Sequence, residues 1–153
     1  MVWQVGDLRG GVAGAFETSN LGGGQVPIST EIRSLAPEFA VIEVVSVGHL
    51  SIADAMRARD AAWELSLELG IHNVLTDMTA TTFAPPAVDI VEFVRGLTTF
   101  GDPQQLRHAL ISPHDPIAAT WIDLFVTAES NRGLTARRFH DRESALAWLC
   151  SEA

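Results

Sequence analysis

The stretch VIEVVSV at residues 41–47 contains five β-branched residues in seven and decides the fold class of this chain. Such a run predicts a β-strand. Ser51 follows it, with Asp54 three residues later, which is the spacing of a capping box at the start of a helix. Apolar residues then recur at helical spacing up to Gly70, namely Ile52, Met56, Trp63 and Leu67. The sequence therefore predicts a strand that leads into an amphipathic crossover helix.

The alternation of strand and helix extends in both directions from this unit. Upstream, residues 28–35 alternate weakly before Pro37 and Glu38 interrupt them, which predicts a hairpin with the strand at 41–47. Downstream, we predict strands at 73–78, 108–111 and 135–139, helices at 87–97 and 117–131, and a short terminal helix capped by Asp141. The inward positions of the two longer helices are predicted to be Ile90, Val91, Val94 and Leu97, and Ile117, Trp121, Leu124, Phe125 and Ala128.

Strands separated by single helices are joined most economically in parallel, by right-handed crossovers. We therefore expect an α/β fold with a mostly parallel five-stranded sheet, one antiparallel edge strand and about four helices. Residues 1–26 are rich in glycine and have few periodic apolar positions, which predicts a flexible or loosely packed N-terminal arm. Residues 27–153 are predicted to form one domain, with Trp63, Trp121 and Trp148 in or near its core.

Composition excludes several classes of function. A formal charge of −9 repels a phosphate backbone, so nucleic acid is not an expected partner. The single cysteine, Cys150, cannot form an internal disulfide, and no run approaches the roughly 20 apolar residues of a membrane span. We therefore expect a cytoplasmic protein without a membrane span, and the sequence indicates no cofactor and no metal ligand set.

Two parts of the chain carry a resemblance to a known family. The first comprises LISPHDP at 110–116, RGL at 132–134, RFHD at 138–141 and ALAWL at 145–149, and the second is VLTDMTATTF at 74–83. In this order of elements the chain resembles SpoIIAA-like proteins of the STAS superfamily (sulfate transporter and anti-sigma factor antagonist), which are structurally related to CRAL-TRIO lipid-binding domains. The resemblance implies a SpoIIAA-like fold and a bacterial, non-enzymatic regulatory or binding module. Anti-sigma factor antagonists continue with Asp-Ser-Ser-Gly where this chain has APPA at 84–87, so the phosphoacceptor serine is missing.

Ligands of open α/β sheets usually bind outside the carboxyl ends of the strands, and this edge is where we predict the functional surface. It combines polar groups, which can orient a ligand or a partner, with apolar ones that supply contact area. The predicted binding residues are His49, Asp77, Thr79, Thr81, Thr82, Phe83 and Pro86.

Three functions are compatible with these residues. The first is a non-enzymatic module that binds an unknown protein partner, with a homodimer as one possibility. The second is a carrier of a small apolar or lipid-like ligand.

The third is a hydrolase or metal-dependent enzyme that uses imidazoles and carboxylates at the strand ends, and its candidate residues are His49, Asp77, His114 and His140. A serine triad could also be drawn from Ser112 with His49 or His140 and Asp77, although no nucleophile-elbow sequence surrounds the serine. Asp115 and Asp141 stand where helix N-caps belong, which explains them without catalysis.

Overall fold

The computed structural model describes residues 12–17, 29–36, 38–82, 86–97 and 105–151. Its strands are β1 (Val12–Glu17), β2 (Ser29–Ser34), β3 (Val41–His49), β4 (Asn73–Thr82), β5 (Arg107–Ile111) and β6 (Thr135–Phe139). Its helices are α1 (Ile52–Leu69), α2 (Ala87–Leu97), α3 (Pro116–Ser130) and α4 (Arg142–Cys150). The α/β class is therefore confirmed, together with four helices and a mostly parallel sheet. Among the residues described, no helix is long and apolar enough to cross a membrane.

The six strands lie in the sheet in the order of the chain, from β1 to β6. The strands β3, β4, β5 and β6 are parallel, and the hairpin between β2 and β3 is antiparallel as predicted. The sheet also contains a strand that was not predicted, because β1 pairs antiparallel with β2. The predicted edge strand β2 is consequently an inner strand. The rest of the predicted N-terminal arm, residues 1–11 and 18–26, lies outside the described part of the chain.

Sequential strand order with right-handed crossovers places every crossover helix on the same face of the sheet. The larger core cluster confirms this placement, because it joins buried side chains of α1, α2 and α3, such as Trp63, Ile90 and Ile122, to one face of the strands. A second, smaller cluster lies on the opposite face, where Leu146 and Leu149 of α4 pack on β3 to β6. In the part of the chain that the structure describes, the sheet therefore has three helices on one side and one helix on the other.

Three apolar residues that were predicted to face inward are exposed instead. Leu67 is 56% exposed, Val91 43% and Ile117 69%. In α2 the core contact is made by Ile90 and Val94, which lie one turn apart, so Val91 falls on the flank of the helix about 100° away. The stripe that each helix buries is narrower than the full apolar set in its sequence, so the predictions for these three residues were wrong.

The predicted helix starts are confirmed at the level of individual hydrogen bonds. At α1, Ser51 and Asp54 form a reciprocal capping box. The carboxylate of Asp115 accepts a hydrogen bond from the backbone of α3, and that of Asp141 accepts one from the backbone N–H of Ser144 in α4. Asp115 and Asp141 are thus explained as caps. Helix α1 ends at Gly70, whose left-handed φ of 65° is strained for any residue with a side chain.

The single helix α4 is attached to the sheet by two sets of polar contacts. Its first residue, Arg142, donates to the carboxylate of Glu43 on β3, which is 1% exposed and also accepts from Arg33 of β2. At its other end the guanidinium of Arg107 on β5 donates to the backbone carbonyl of Trp148 at 2.7 Å and lies over its ring. A cation at a helix C-terminus compensates the partial negative charge of the last carbonyls. Both ends of α4 are therefore fixed by arginine.

Candidate functional site

A cavity of about 80 Å³ lies inside the domain, between the helical layer and the sheet, and is partly open to solvent. We call it the core cavity. Its walls are mainly apolar side chains of α1, α2 and α3, of the strands β3, β4 and β5 and of the connections next to them. These are Val44, Leu50, Ala55, Ala58, Ala62, Trp63, Val74, Met78, Phe93, Leu106, Leu110 and Phe125. Five residues with polar groups complete it, namely Ser46, Arg59, Thr76, His108 and Glu129.

The space exists because α1 presents small side chains to the sheet. Ala55, Ala58 and Ala62 are buried and recur at intervals of three and four residues, so they lie on one face of the helix. An alanine at each of these positions leaves room that a leucine or isoleucine would fill. Phe93 and Phe125, whose rings meet edge to face with centroids 5.2 Å apart, form part of the wall contributed by α2 and α3.

A chain of three hydrogen-bonded side chains lines this cavity and links the sheet to α3. Thr76 Oγ1 lies 2.8 Å from His108 Nε2, and His108 Nδ1 lies 2.9 Å from both carboxylate oxygens of Glu129. Glu129 has no solvent exposure, and the side chain of His108 is 12% exposed. We call these residues the Thr76–His108–Glu129 chain. A buried carboxylate requires such a partner, because an unpaired one would be costly to desolvate.

The order of groups in this chain, hydroxyl, imidazole and carboxylate, is that of a serine-hydrolase triad. Acyl transfer also requires free N–H donors directed at the developing oxyanion. Thr76 stands in the middle of β4, an inner strand that is paired with β3 on one side and β5 on the other. The backbone N–H groups around Thr76 therefore belong to the sheet ladder. The arrangement can orient a ligand through hydrogen bonds, but its backbone does not supply the oxyanion donors of a hydrolase.

Arg59 also lines the cavity. Its guanidinium donates to the carboxylate of Asp60 at 2.8 Å and to the backbone carbonyl of Phe93 at 2.6 Å, and it lies over the ring of Phe93. A methyl group on Gly96 would overlap this guanidinium, so the observed position of the Arg59 side chain depends on glycine there. Arg59 thus links α1 to α2 through its contacts with Phe93.

The carboxyl edge of the sheet, where the sequence predicted the site, contains an irregularity of strand pairing. The register between β3 and β4 shifts after Val45, and Asp77 and Thr79 of β4 lie at this shift. One carboxylate oxygen of Asp77 accepts hydrogen bonds from the backbone N–H and the hydroxyl of Thr79, at 2.9 and 2.7 Å. Bulges of this kind redirect side chains at the rims of sheets. The two residues therefore have a local structural role.

The other predicted residues of this edge lie beyond the shift. His49 Nδ1 lies 3.3 Å from Thr82 Oγ1 on the neighbouring strand, and both side chains are exposed. Thr81 is buried and donates to the backbone carbonyl of Ser46, which itself lines the core cavity. Pro86 is exposed, and Phe83 lies outside the described residues. The structure thus brings His49 next to Thr82 and connects Thr81 to the cavity.

The residues considered for an enzyme do not assemble in the part of the chain that the structure describes. His114 and His140 are exposed, and no three His, Cys, Asp or Glu side chains lie close enough together to hold a metal ion. Ser112 donates to the carbonyl of Pro113, not to a histidine. The pKa of Asp141 is lowered, first by the hydrogen bond from the backbone N–H of Ser144 and then by the one from its hydroxyl, which is the behaviour of a cap.

The sequence analysis missed Thr76, His108 and Glu129 as site residues, although their pattern contained a signal. His108 stands midway between Leu106 and Leu110, and the three residues are spaced two apart. Side chains with this spacing lie on the same face of a strand, so the imidazole lies on the face that packs against the helices. Glu129 follows Phe125 by four residues, on the buried face of α3. Polar residues at inward positions of both a strand and a helix indicate a buried polar site.

A comparison with models of protein families finds no family that matches this chain, and a comparison with curated proteins finds no significant match.

Proposed function

We propose that this chain is a non-enzymatic binding domain whose core cavity holds a small, mainly apolar molecule. The observation that carries the proposal is the cavity itself, which has mostly apolar walls and one chain of polar side chains at its floor. Small-molecule sites are usually concave and apolar, with a few placed polar groups that fix the orientation of the ligand. Of the three functions compatible with the sequence, the carrier of a small apolar ligand fits this arrangement best.

The backbone N–H groups around Thr76 are committed to the sheet, and this supports binding without catalysis. The resemblance to SpoIIAA-like proteins and to CRAL-TRIO domains also supports a binding role, and we propose on that basis that the chain belongs to the STAS-like group. Without the phosphoacceptor serine, a ligand in the cavity would take the place of phosphorylation as the regulating event. The cytoplasm is the proposed location, because the single cysteine requires no oxidising compartment.

The test uses methionine as a reporter, because Met78 lines the cavity and Met56 on α1 does not belong to its walls. The protein is labelled with ¹³C at the methionine methyl groups and titrated with benzene. We expect the methyl resonance of Met78 to shift with saturation while that of Met56 stays in place. The matched variants are Ala58→Leu, which fills the cavity, and Ala53→Leu, which adds the same side chain at an exposed position of the same helix.

Binding should survive in the Ala53→Leu variant and be lost in the Ala58→Leu variant. If benzene leaves the Met78 resonance unchanged up to its solubility limit, or moves it equally in both variants, the proposed cavity function is wrong. Turnover of a small ester that disappears in a His108→Ala variant would support the enzyme reading instead.

A partner-binding surface is the second candidate function, and a specific observation favours it. Val88 is 64% exposed and Val91 43%, one turn apart on α2 and directly after Pro86 of the predicted site. Neighbouring exposed apolar side chains of this kind occur at protein interfaces. Replacing both valines by threonine should lower the subunit number or remove a bound partner, as measured by native mass spectrometry. The melting temperature, measured by a thermal melt, should not fall. An unchanged assembly would exclude this surface.

A further inference from the structure

We propose that the core cavity selects neutral molecules that donate a hydrogen bond, such as a phenol or an indole, and that Thr76 Oγ1 is the acceptor. This inference rests on the proposed binding function and names the class of ligand. It combines three observations, which are the direction of the hydrogen bonds in the Thr76–His108–Glu129 chain, the sign of the buried charge and the aromatic walls of the cavity.

The carboxylate of Glu129 fixes the direction of hydrogen bonding along the chain. An ionised carboxylate can only accept, so His108 Nδ1, at 2.9 Å from both its oxygens, carries the proton and donates it. In a neutral imidazole the other nitrogen, Nε2, is then an acceptor. When the ring is neutral, the hydroxyl of Thr76, 2.8 Å from Nε2, therefore donates its only proton to the ring, whereas a protonated ring would donate to Thr76 instead.

A hydroxyl whose proton is committed can offer only its lone pairs to a ligand. Thr76 lines the cavity and thus presents an acceptor to it. The hydroxyl of Ser46, the other one in the walls, already shares a hydrogen bond of 3.2 Å with Thr30. A ligand that donates through O–H or N–H completes this arrangement, whereas a ligand that only accepts would face the oxygen of Thr76 without a proton between them.

The charges around the cavity also favour a neutral ligand over an anionic one. Glu129 is a fully buried carboxylate that is hydrogen-bonded to the ring of His108. Arg59 balances Asp60, to which it donates at 2.8 Å, and it also donates to the carbonyl of Phe93 and lies over the ring of that residue. A carboxylate ligand would bring a second negative charge into a poorly solvated space beside Glu129 and would be repelled.

Aromatic side chains favour a flat ring as the apolar part of the ligand. Trp63, Phe93 and Phe125 all line the cavity, and they come from three different helices. Aromatic rings prefer edge-to-face or offset contacts with such walls. At about 80 Å³ the cavity is roughly half the size of the ~150 Å³ cavity that holds benzene in an engineered protein, so it has room for at most one ring, which would lie partly in the opening, and not for a long acyl chain.

The experiment compares three probes of similar shape, phenol, toluene and benzoate, by the methionine-methyl titration described above, at pH 8, where imidazole side chains are ordinarily neutral. In the unmodified protein we expect phenol to bind roughly three- to tenfold more tightly than toluene, which is the range of one net hydrogen bond. Benzoate should bind more weakly than toluene. The test variant is Thr76→Val, which keeps the shape of the side chain and removes the oxygen, and the matched control is Thr76→Ser, which keeps the hydroxyl.

The preference for phenol over toluene should disappear in Thr76→Val and persist in Thr76→Ser. Equal binding of phenol and toluene by the unmodified protein, or a preference for benzoate, would overturn the inference while leaving the proposed binding function intact. Failure of all three probes to move the Met78 resonance would overturn the proposed function itself. If Thr76→Val does not fold, the phenol-to-toluene ratio of the unmodified protein decides the inference alone.

Discussion

Filling the core cavity with a leucine at position 58 should stabilise the protein. At about 24 cal/mol per Å³ of cavity, the 80 Å³ observed correspond to roughly 2 kcal/mol of missing contacts. The three carbons that Ala58→Leu adds contribute about 0.8 kcal/mol each when buried, and fixing the leucine rotamer opposes this with about 0.5–1 kcal/mol. The free energy of unfolding should therefore rise by about 1–2 kcal/mol.

The assay is urea unfolding followed by circular dichroism, with a thermal melt as a second measurement. For a domain of 153 residues, a gain of this size raises the melting temperature by roughly 2–8 °C. The control, Ala53→Leu, makes the same change at an exposed position of α1 and should alter the free energy of unfolding by less than about 0.5 kcal/mol. It separates the filling of the cavity from any change in helix propensity, which is small for both residues.

An Ala58→Leu variant that is less stable than the unmodified protein by about 1–3 kcal/mol would refute this reasoning. That result is expected for overpacking of a core that is already full. It would mean that the space between α1 and the sheet is closed in solution, and the proposals built on the core cavity would fall with it. Stabilisation in the absence of ligand, accompanied by loss of benzene binding, is the combination that only a real cavity gives.

Two further predictions concern the polar contacts of α4. Glu43→Gln leaves the shape of the side chain intact but removes the negative charge that Arg33 and Arg142 share. The free energy of unfolding, measured in urea, should therefore fall by about 2–3 kcal/mol. A loss below about 0.5 kcal/mol would contradict the importance of these ion pairs. Ser144→Ala should raise the lowered pKa of Asp141 toward its ordinary value of 3.8 in a ¹³C titration of the carboxyl group. Because the folded-state pKa of Asp141 lies below the unfolded one, its contribution to stability is present above the unfolded pKa and is lost as the pH falls through the folded pKa. A carboxyl that titrates at the same pH with and without the Ser144 hydroxyl would contradict this assignment.

The sequence predicts most of this fold because its local signals agree with each other. The β-branched run at 41–47, the cap at Ser51 and the glycine at position 70 each mark a boundary that the structure reproduces within two residues. Strand β1 is the exception. Gly14 lies within β1, and glycine has low strand propensity, so the sequence pattern does not indicate a strand there. The strand is defined by its backbone hydrogen bonds to β2, which a sequence pattern does not contain.

The candidate site was predicted less well, and for a different reason. The sequence places Thr76 and His108 on one face of their strands by simple alternation, but each position taken alone is compatible with an ordinary satisfied polar residue. Their meaning depends on the distance from β5 to α3, across which Glu129 reaches the imidazole. That distance is a result of packing between elements that are distant in the chain. One example is the contact between Phe93 of α2 and Phe125 of α3.

The position of α4 has a consequence for synthesis on the ribosome. All six strands and the three crossover helices emerge before α4 does, since α4 follows them in the chain. Until α4 is synthesised, the apolar side chains of Val41, Leu75 and Ile111 lack its contacts, while α1, α2 and α3 already pack on the opposite face. Exposed apolar surface on a partly folded chain promotes aggregation. Arg107 and Glu43, whose partners lie at the two ends of α4, therefore hold this helix against the sheet once it has been synthesised.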